Sequence, residues 1–132
     1  MRSSKRAAAV LSAAALLLLP ALPAEAAEAA TTFTFGNLHS GKCLEVAYSG
    51  TADLADVGQY TCHSGNNQKW ELVQVTVAPG QPNNRMMLRN QNSGKCLEIL
   101  NYSTADFGEA VQYGCYEGAN QVWASPQWFW PT

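Results

Sequence analysis

Alternating apolar and polar residues predict short, half-buried strands in the part of the chain that follows the N-terminal segment. The alternation is clearest over residues 33–35, 44–46 and 72–77. Residues typical of turns separate these stretches, and the longest such segment is the Pro- and Asn-rich loop over residues 78–84. No stretch beyond the N-terminal segment keeps a helical period. The pattern therefore predicts an all-β domain.

The N-terminal segment has the pattern of a secretion signal. Basic residues precede an apolar stretch over residues 7–22, and Ala24-Glu25-Ala26 has the small residues that signal peptidase cleaves after. A membrane anchor is the alternative, but the apolar run is shorter than the ~20 residues that span a bilayer. We predict a signal peptide over residues 1–26 and a secreted, extracellular domain over residues 27–132, with nothing that holds it on a membrane after cleavage.

The charge of the predicted mature domain limits the partners that it could bind. Five basic residues against nine carboxylates give residues 27–132 a net charge of −4. Nucleic acids and other polyanions are therefore not expected as partners. No cofactor and no bound metal are expected either.

The mature chain contains one motif twice. A shift of 53 positions aligns Asn37–Trp70 with Asn90–Trp123 without a gap, and 17 of the 34 positions are identical. Such agreement indicates a duplication. We call residues 33–77 lobe one and residues 85–124 lobe two, and leave residues 125–132 as an aromatic-rich tail.

Four cysteines lie in the mature chain, two in each copy. Within a copy the two are 19 positions apart, which differs from the close-set spacing of zinc sites, although zinc remains a minor alternative. Of the three pairings that four cysteines allow, one gives each copy its own bridge, Cys43 with Cys62 and Cys96 with Cys115. Closing a loop of this length contributes ~3 kcal/mol in the chain-entropy model.

The order of the shared blocks resembles the ricin-type lectin repeat, the QxW motif of β-trefoil carbohydrate-binding domains. The blocks are Ser-Gly-Lys-Cys-Leu-Glu, then Gln-Tyr-x-Cys, then Asn-Gln-x-Trp, and the resemblance covers about residues 33–124. It implies a β-trefoil, a fold of three lobes with four strands each. This sequence shows only two of the three lobes. The resemblance also implies that the QxW residues are structural: Gln68, Trp70, Gln121 and Trp123.

The same resemblance implies a sugar-binding site in each lobe, made of an acid, an aromatic ring and an amide. Carried over position by position, these residues are Glu45, Tyr60 and Asn67 in lobe one, and Glu98, Tyr113 and Asn120 in lobe two. Gln59 and Gln112 are either further sugar contacts or outward-facing strand residues. A structural role in a turn is the alternative for the two asparagines, because glycine precedes each of them closely.

Two lobes would leave part of a trefoil uncovered. We expect either that chains self-associate and cover the opening, or that the aromatic tail, with Trp128, Phe129 and Trp130, folds back over it.

Sugar binding without catalysis is the predicted function, with galactose-, arabinose- or xylose-containing glycans as the expected ligands. An enzyme would need a positioned acid and base, whereas Glu45 and Glu98 occupy equivalent places in separate lobes. His39 and His63 have no duplicated histidine and are interpreted as surface residues. A protein-binding or protease-inhibitor module on a trefoil-like scaffold is the alternative.

Overall fold

Eight β-strands and four single 3-10 turns form the regular structure of residues 10, 12–24 and 28–124, which the computed structural model describes. The strands are β1 (Thr32–Phe33), β2 (Cys43–Val46), β3 (Val57–Tyr60), β4 (Trp70–Gln74), β5 (Arg85–Asn90), β6 (Cys96–Ile99), β7 (Ala110–Tyr113) and β8 (Trp123–Ala124). These residues contain no α-helix, so the predicted all-β class is confirmed. No helix among them is long and apolar enough to cross a membrane. The aromatic tail over residues 125–132 and part of the predicted cleavage site, residues 25–26, lie outside the described residues.

Each lobe contains one hairpin with the same register. In lobe one, β2 and β3 are antiparallel, with Cys43 opposite Tyr60 and Glu45 opposite Gly58. In lobe two, β6 and β7 repeat this pairing, with Cys96 opposite Tyr113. Both predicted disulfides are present, Cys43–Cys62 and Cys96–Cys115, and each closes the hairpin of its own lobe.

A second set of strands joins the two lobes. Strand β4 pairs with β1 of its own lobe and with β5 of the next, so that Trp70 lies opposite both Phe33 and Asn90. Strand β5 pairs in turn with β8. The pattern of apolar residues predicted a strand over residues 72–77, but β4 begins at Trp70 and ends at Gln74. The strand begins earlier than predicted because Trp70 pairs with Phe33 and Asn90. It ends earlier, at Gln74, because the chain then approaches the Pro-rich loop over residues 78–84.

The QxW tryptophans lie where the hairpins meet the joining sheet. Trp70 is fully buried against Val46 and Leu97, and its indole N–H donates to the carbonyl oxygen of Leu44 at 3.1 Å. Trp123 makes the equivalent bond in lobe two at 3.4 Å but is only half-buried. A buried tryptophan needs such a partner for its N–H. The two tryptophans therefore pack the lobes from equivalent positions, with lobe one better covered.

The QxW glutamines hold the turn that follows each hairpin. Gln68 is fully buried, accepts from the backbone N–H of His63 at 2.9 Å and donates to the carbonyl of Thr61 at 2.9 Å. Gln121 makes the same two bonds with Tyr116 and Gly114. Each amide therefore ties together the backbone on the two sides of the second cysteine of its lobe.

Gln112 connects the lobes and does not face solvent. Its side chain is fully buried, donates to the carbonyls of Gly50 at 3.0 Å and Ala52 at 2.8 Å, and accepts from the Ser93 hydroxyl at 2.6 Å. Both interpretations of Gln112, as a sugar contact or an outward-facing residue, were therefore wrong. The sequence pattern could not reveal this, because the carbonyls that hold the amide belong to the other lobe.

Candidate functional site

The predicted acid and ring of each lobe lie on the same face of its hairpin. Side chains two positions apart on a strand point to the same side of a sheet. Because Cys43 lies opposite Tyr60 and Glu45 opposite Gly58, Glu45 and Tyr60 are diagonal neighbours on one face. We call the depression that they line with Asn67 site one; its volume is about 430 Å³.

Glu45 is a buried carboxylate oriented by three donors. Its Oε2 accepts from the Gln68 amide at 2.9 Å, from the Asn67 amide at 3.3 Å and from the His63 ring at 3.2 Å. All three bonds reach the same oxygen, so Oε1 takes no part in them. An ionised carboxylate forms strong, directional hydrogen bonds. The fold therefore fixes the direction in which this acid can act.

His63 is an exposed residue, as the sequence predicted, and it also lines site one. Its side chain is partly exposed, and its ring lies edge-on to Tyr60 with centroids 6.3 Å apart. Nδ1 accepts a hydrogen bond from the backbone N–H of Gly65 at 2.9 Å. The neutral ring therefore carries its proton on Nε2, and this N–H donates a hydrogen bond to Glu45. Its position directly after the second cysteine was the available signal.

Asn67 is held in the 3-10 turn Asn66–Gln68 and is almost fully buried. Its amide nitrogen donates to the carbonyl of Val46 at 3.0 Å as well as to Glu45. Its Oδ1 is buried and has no hydrogen-bond partner among the described residues. Asn67 therefore has the role in a turn that the sequence offered as an alternative, and its amide also contacts the acid of site one.

Lobe two repeats the arrangement with a tyrosine in place of the histidine. Oε2 of buried Glu98 accepts from the Gln121 amide at 3.0 Å and lies 3.4 Å from the Tyr116 hydroxyl. That hydroxyl also lies 2.9 Å from Oδ1 of Asn120, the shorter of its two contacts. We call the depression lined by Glu98, Tyr113 and Asn120 site two; its volume is about 510 Å³. In site two the asparagine oxygen thus has the partner that it lacks in site one.

Tyr116 has a shifted pKa. A hydrogen bond with Tyr102, assisted by desolvation and by the negative charge of Glu98, raises the pKa of Tyr116 to about 12. Tyr116 is therefore neutral at physiological pH. Position 102 corresponds to Ser49 in lobe one, so this pair of phenols distinguishes the two sites.

Both predicted stacking rings remain accessible. Tyr60 is 58% exposed and Tyr113 is 40% exposed, although each belongs to a hairpin tied by a disulfide. Gln59 is exposed, accepts from the Ser40 hydroxyl at 2.7 Å and lies at the rim of site one. Each lobe therefore combines a fixed acid and amide with an open aromatic face.

Comparisons with known proteins agree with this architecture. The family model described as ricin-type beta-trefoil lectin domain-like matches residues 22–81 and 76–128. The designed threefold-symmetric protein ThreeFoil is 36% identical with a TM-score of 0.62, over 70% of this chain and 62% of that one. The exo-beta-1,3-galactanase 1,3Gal43A from Clostridium thermocellum is 26% identical with a TM-score of 0.62, over 73% of this chain and 20% of that one. No curated protein matches the chain.

The chain spans less than two thirds of the length of either structure. Coverage of 62% of a threefold-symmetric protein corresponds to about two of its three repeats, which confirms the predicted trefoil-like fold with two evident lobes. The segments matched by the family model extend over most of the sequence. The chain therefore belongs to the ricin-type β-trefoil lectin domain-like family.

Proposed function

We propose that this protein is a secreted, non-catalytic carbohydrate-binding module that holds galactose-, arabinose- or xylose-type glycans at two shallow sites, one in each lobe. The observation that carries the proposal is the pairing of a buried, oriented carboxylate with an exposed ring. Glu45 is fixed by three donors on the same face as Tyr60, whose ring is open to solvent.

This pairing matches the surface of a sugar. A pyranose has an apolar C–H face that stacks on an aromatic ring, and a rim of hydroxyls that donate to a carboxylate. In site one, the ring of Tyr60 would take the C–H face, while Oε1 of Glu45 would accept from a hydroxyl. Site two would use Tyr113 and Glu98 in the same way. Asn67 and Asn120 would be the amide contacts of the two sites, and Gln59 is a further contact at the rim of site one.

The arrangement of the two acids argues against glycoside hydrolysis. Paired catalytic carboxylates flank a single glycosidic bond. Glu45 and Glu98 line different depressions and each is held by the QxW glutamine of its own lobe. The structural relative from Clostridium thermocellum is by name a galactanase, and this chain corresponds to only a fifth of it. That relationship supports galactose-type polymers as ligands to test first.

Secretion is supported by the cysteines and by the N-terminal segment. Both cysteine pairs are oxidised, and disulfides persist mainly in extracellular or periplasmic environments. The basic and apolar pattern of residues 1–26 adds to this support.

Retention on immobilised polysaccharide tests the proposed function. The oxidised protein is passed over galactan, arabinan and xylan, and we expect retardation on at least one of them. Tyr60→Ala combined with Tyr113→Ala is expected to abolish retention while thermal unfolding stays unchanged. Leu38→Ala is the matched control, because Leu38 is fully exposed and lines neither site.

Two sites on one chain should also act together. Linked weak sites can raise avidity on a multivalent polymer by roughly 10²–10⁴. Either single tyrosine variant should therefore bind a polymer far more weakly than the wild-type protein but bind a monosaccharide with similar affinity at its intact site. If the double variant is retained like the wild type, the aromatic rings do not carry binding and the proposal is wrong.

A further inference from the structure

Site two contains a residue from the other lobe. Its depression is lined mainly by residues of lobe two, including Glu98, Tyr113 and Tyr116, but Leu54 of lobe one also lines it. Site one has no such contribution, because all the residues that line it belong to lobe one. The two sites are therefore built differently, although their acid, ring and amide are equivalent.

The segment that carries Leu54 is fixed on both sides of Tyr113. The backbone N–H of Leu54 donates to the carbonyl of Gln112 at 2.8 Å, and the N–H of Gln112 donates to the carbonyl of Ala55 at 3.0 Å. On the other side of Tyr113, the backbone N–H of Gly114 donates to Oδ1 of Asp53 at 3.2 Å. The chain around Leu54 thus runs directly along the strand that presents the ring.

An ion pair strengthens this attachment. The Lys95 ammonium lies 2.6 Å from the same Asp53 oxygen, and this hydrogen bond lowers the pKa of the Asp53 carboxyl. The segment is consequently anchored to lobe two by backbone bonds, by a side-chain bond and by charge. The position of Leu54 is therefore fixed by contacts between the two lobes, so Leu54 does not lie on a free loop.

Leu54 has a backbone conformation that leucine rarely adopts. Its φ is 67°, in the left-handed region that disfavours residues with a Cβ atom. Its side chain is nevertheless 52% exposed, so burial of the whole side chain does not explain the strain. A half-exposed apolar side chain beside an open tyrosine ring is available to a ligand.

We infer that Leu54 is a specificity-determining contact of site two, so that this site is completed by both lobes. Leu54 and Tyr113 together present an apolar corner to the C–H surface of a pyranose, whereas the aromatic rings of site one, Tyr48 and Tyr60, both come from lobe one. This inference rests on the proposed function of site two.

The position equivalent to Leu54 provides a matched control. Phe107 occupies it in lobe two, has a φ of 62° and is fully exposed, and it lines neither site one nor site two. Asparagine tolerates the left-handed region better than other residues with a Cβ atom. Leu54→Asn therefore removes the apolar side chain without changing the backbone, and Phe107→Asn makes the same change away from both sites.

The experiment isolates site two with Tyr60→Ala and titrates galacto-, arabino- and xylo-oligosaccharides by calorimetry. In this background we expect Leu54→Asn to weaken binding about fivefold, which corresponds to roughly 40 Å² of apolar surface covered by the ligand. Phe107→Asn should change the affinity less than twofold, and Leu54→Met should retain most of it. Melting temperatures are measured for all variants to establish that they are folded.

The outcomes separate the inference from the proposed function. If Leu54→Asn binds as tightly as Phe107→Asn, the inference is overturned while sugar binding at site two stands. If the Tyr60→Ala protein binds none of the three probes, site two is not a sugar site and both proposals fail for it. A fivefold loss confined to Leu54→Asn supports a site shared between the lobes.

Discussion

Replacement of Gln112 by alanine should destabilise the protein far more than the same change at Gln59, its equivalent in lobe one. The amide of Gln112 makes three hydrogen bonds, to Gly50, Ala52 and Ser93, and it is fully buried. At ~1 kcal/mol for each bond, the free energy of unfolding should fall by about 3 kcal/mol. Gln59 is exposed and bonds only to Ser40, so its replacement should cost less than about 0.5 kcal/mol.

Urea unfolding of the oxidised protein, followed by tryptophan fluorescence, measures this difference directly. For a domain of this size a loss of 3 kcal/mol also lowers the melting temperature by roughly 15 °C. The two variants differ in the same atoms, so their comparison cancels the intrinsic effect of changing glutamine to alanine. Equal midpoints for Gln112→Ala and Gln59→Ala would show that the lobes are not held together through this amide.

Three further predictions concern the sites. His63→Tyr should change the free energy of unfolding by less than about 1 kcal/mol, because it gives the unpartnered amide oxygen of site one a donor but removes the acceptor of the Gly65 backbone N–H; a urea midpoint that corresponds to a larger change would contradict this. Gly118→Ala should weaken site two severalfold in calorimetry, because a Cβ atom there collides with the Tyr116 ring, whereas Gly114→Ala meets open space and should not. Tyr102→Phe should lower the pKa of Tyr116 from about 12 towards 10, which ultraviolet titration detects.

The alkaline behaviour of Tyr116 also has a defined sign. Its pKa is raised in the folded protein, so the associated stability is present in full below pH 10 and is lost as the pH rises towards 12. Tyr102→Phe should remove that part of the pH dependence. An unchanged titration curve would exclude the hydrogen bond between the two phenols as its cause.

The fold and most of the site could be predicted because the duplication places the same residues in the same register twice. Glu45 and Tyr60 share a face once the hairpin is paired through Cys43, and the repeated cysteine spacing indicated that pairing. What a residue contacts within its own lobe therefore follows from local sequence. The resemblance to the ricin-type repeat implied a structural role for the QxW glutamines, and their burial agrees with that role.

Contacts between the lobes could not be predicted in this way. Gln112 and Gln59 begin the same Gln-Tyr-x-Cys block, yet one is fully buried and the other exposed, because only Gln112 meets the carbonyls of the preceding lobe. Leu54 was missed for the same reason. The place of His63 in site one could not be predicted from the repeat, because the equivalent residue in lobe two is Tyr116 and the two side chains share only a hydrogen bond to the acid of their lobe.

The double role of Gln68 affects how such a module could acquire new ligands. The same amide that fixes the backbone after the hairpin also points at the acid of site one, at 2.9 Å from each partner. The turn that follows the hairpin of lobe one therefore also holds the carboxylate of Glu45 in place, whether or not a sugar is present. Evolution can then exchange the neighbouring residue, histidine in one lobe and tyrosine in the other, and explore new preferences one substitution at a time.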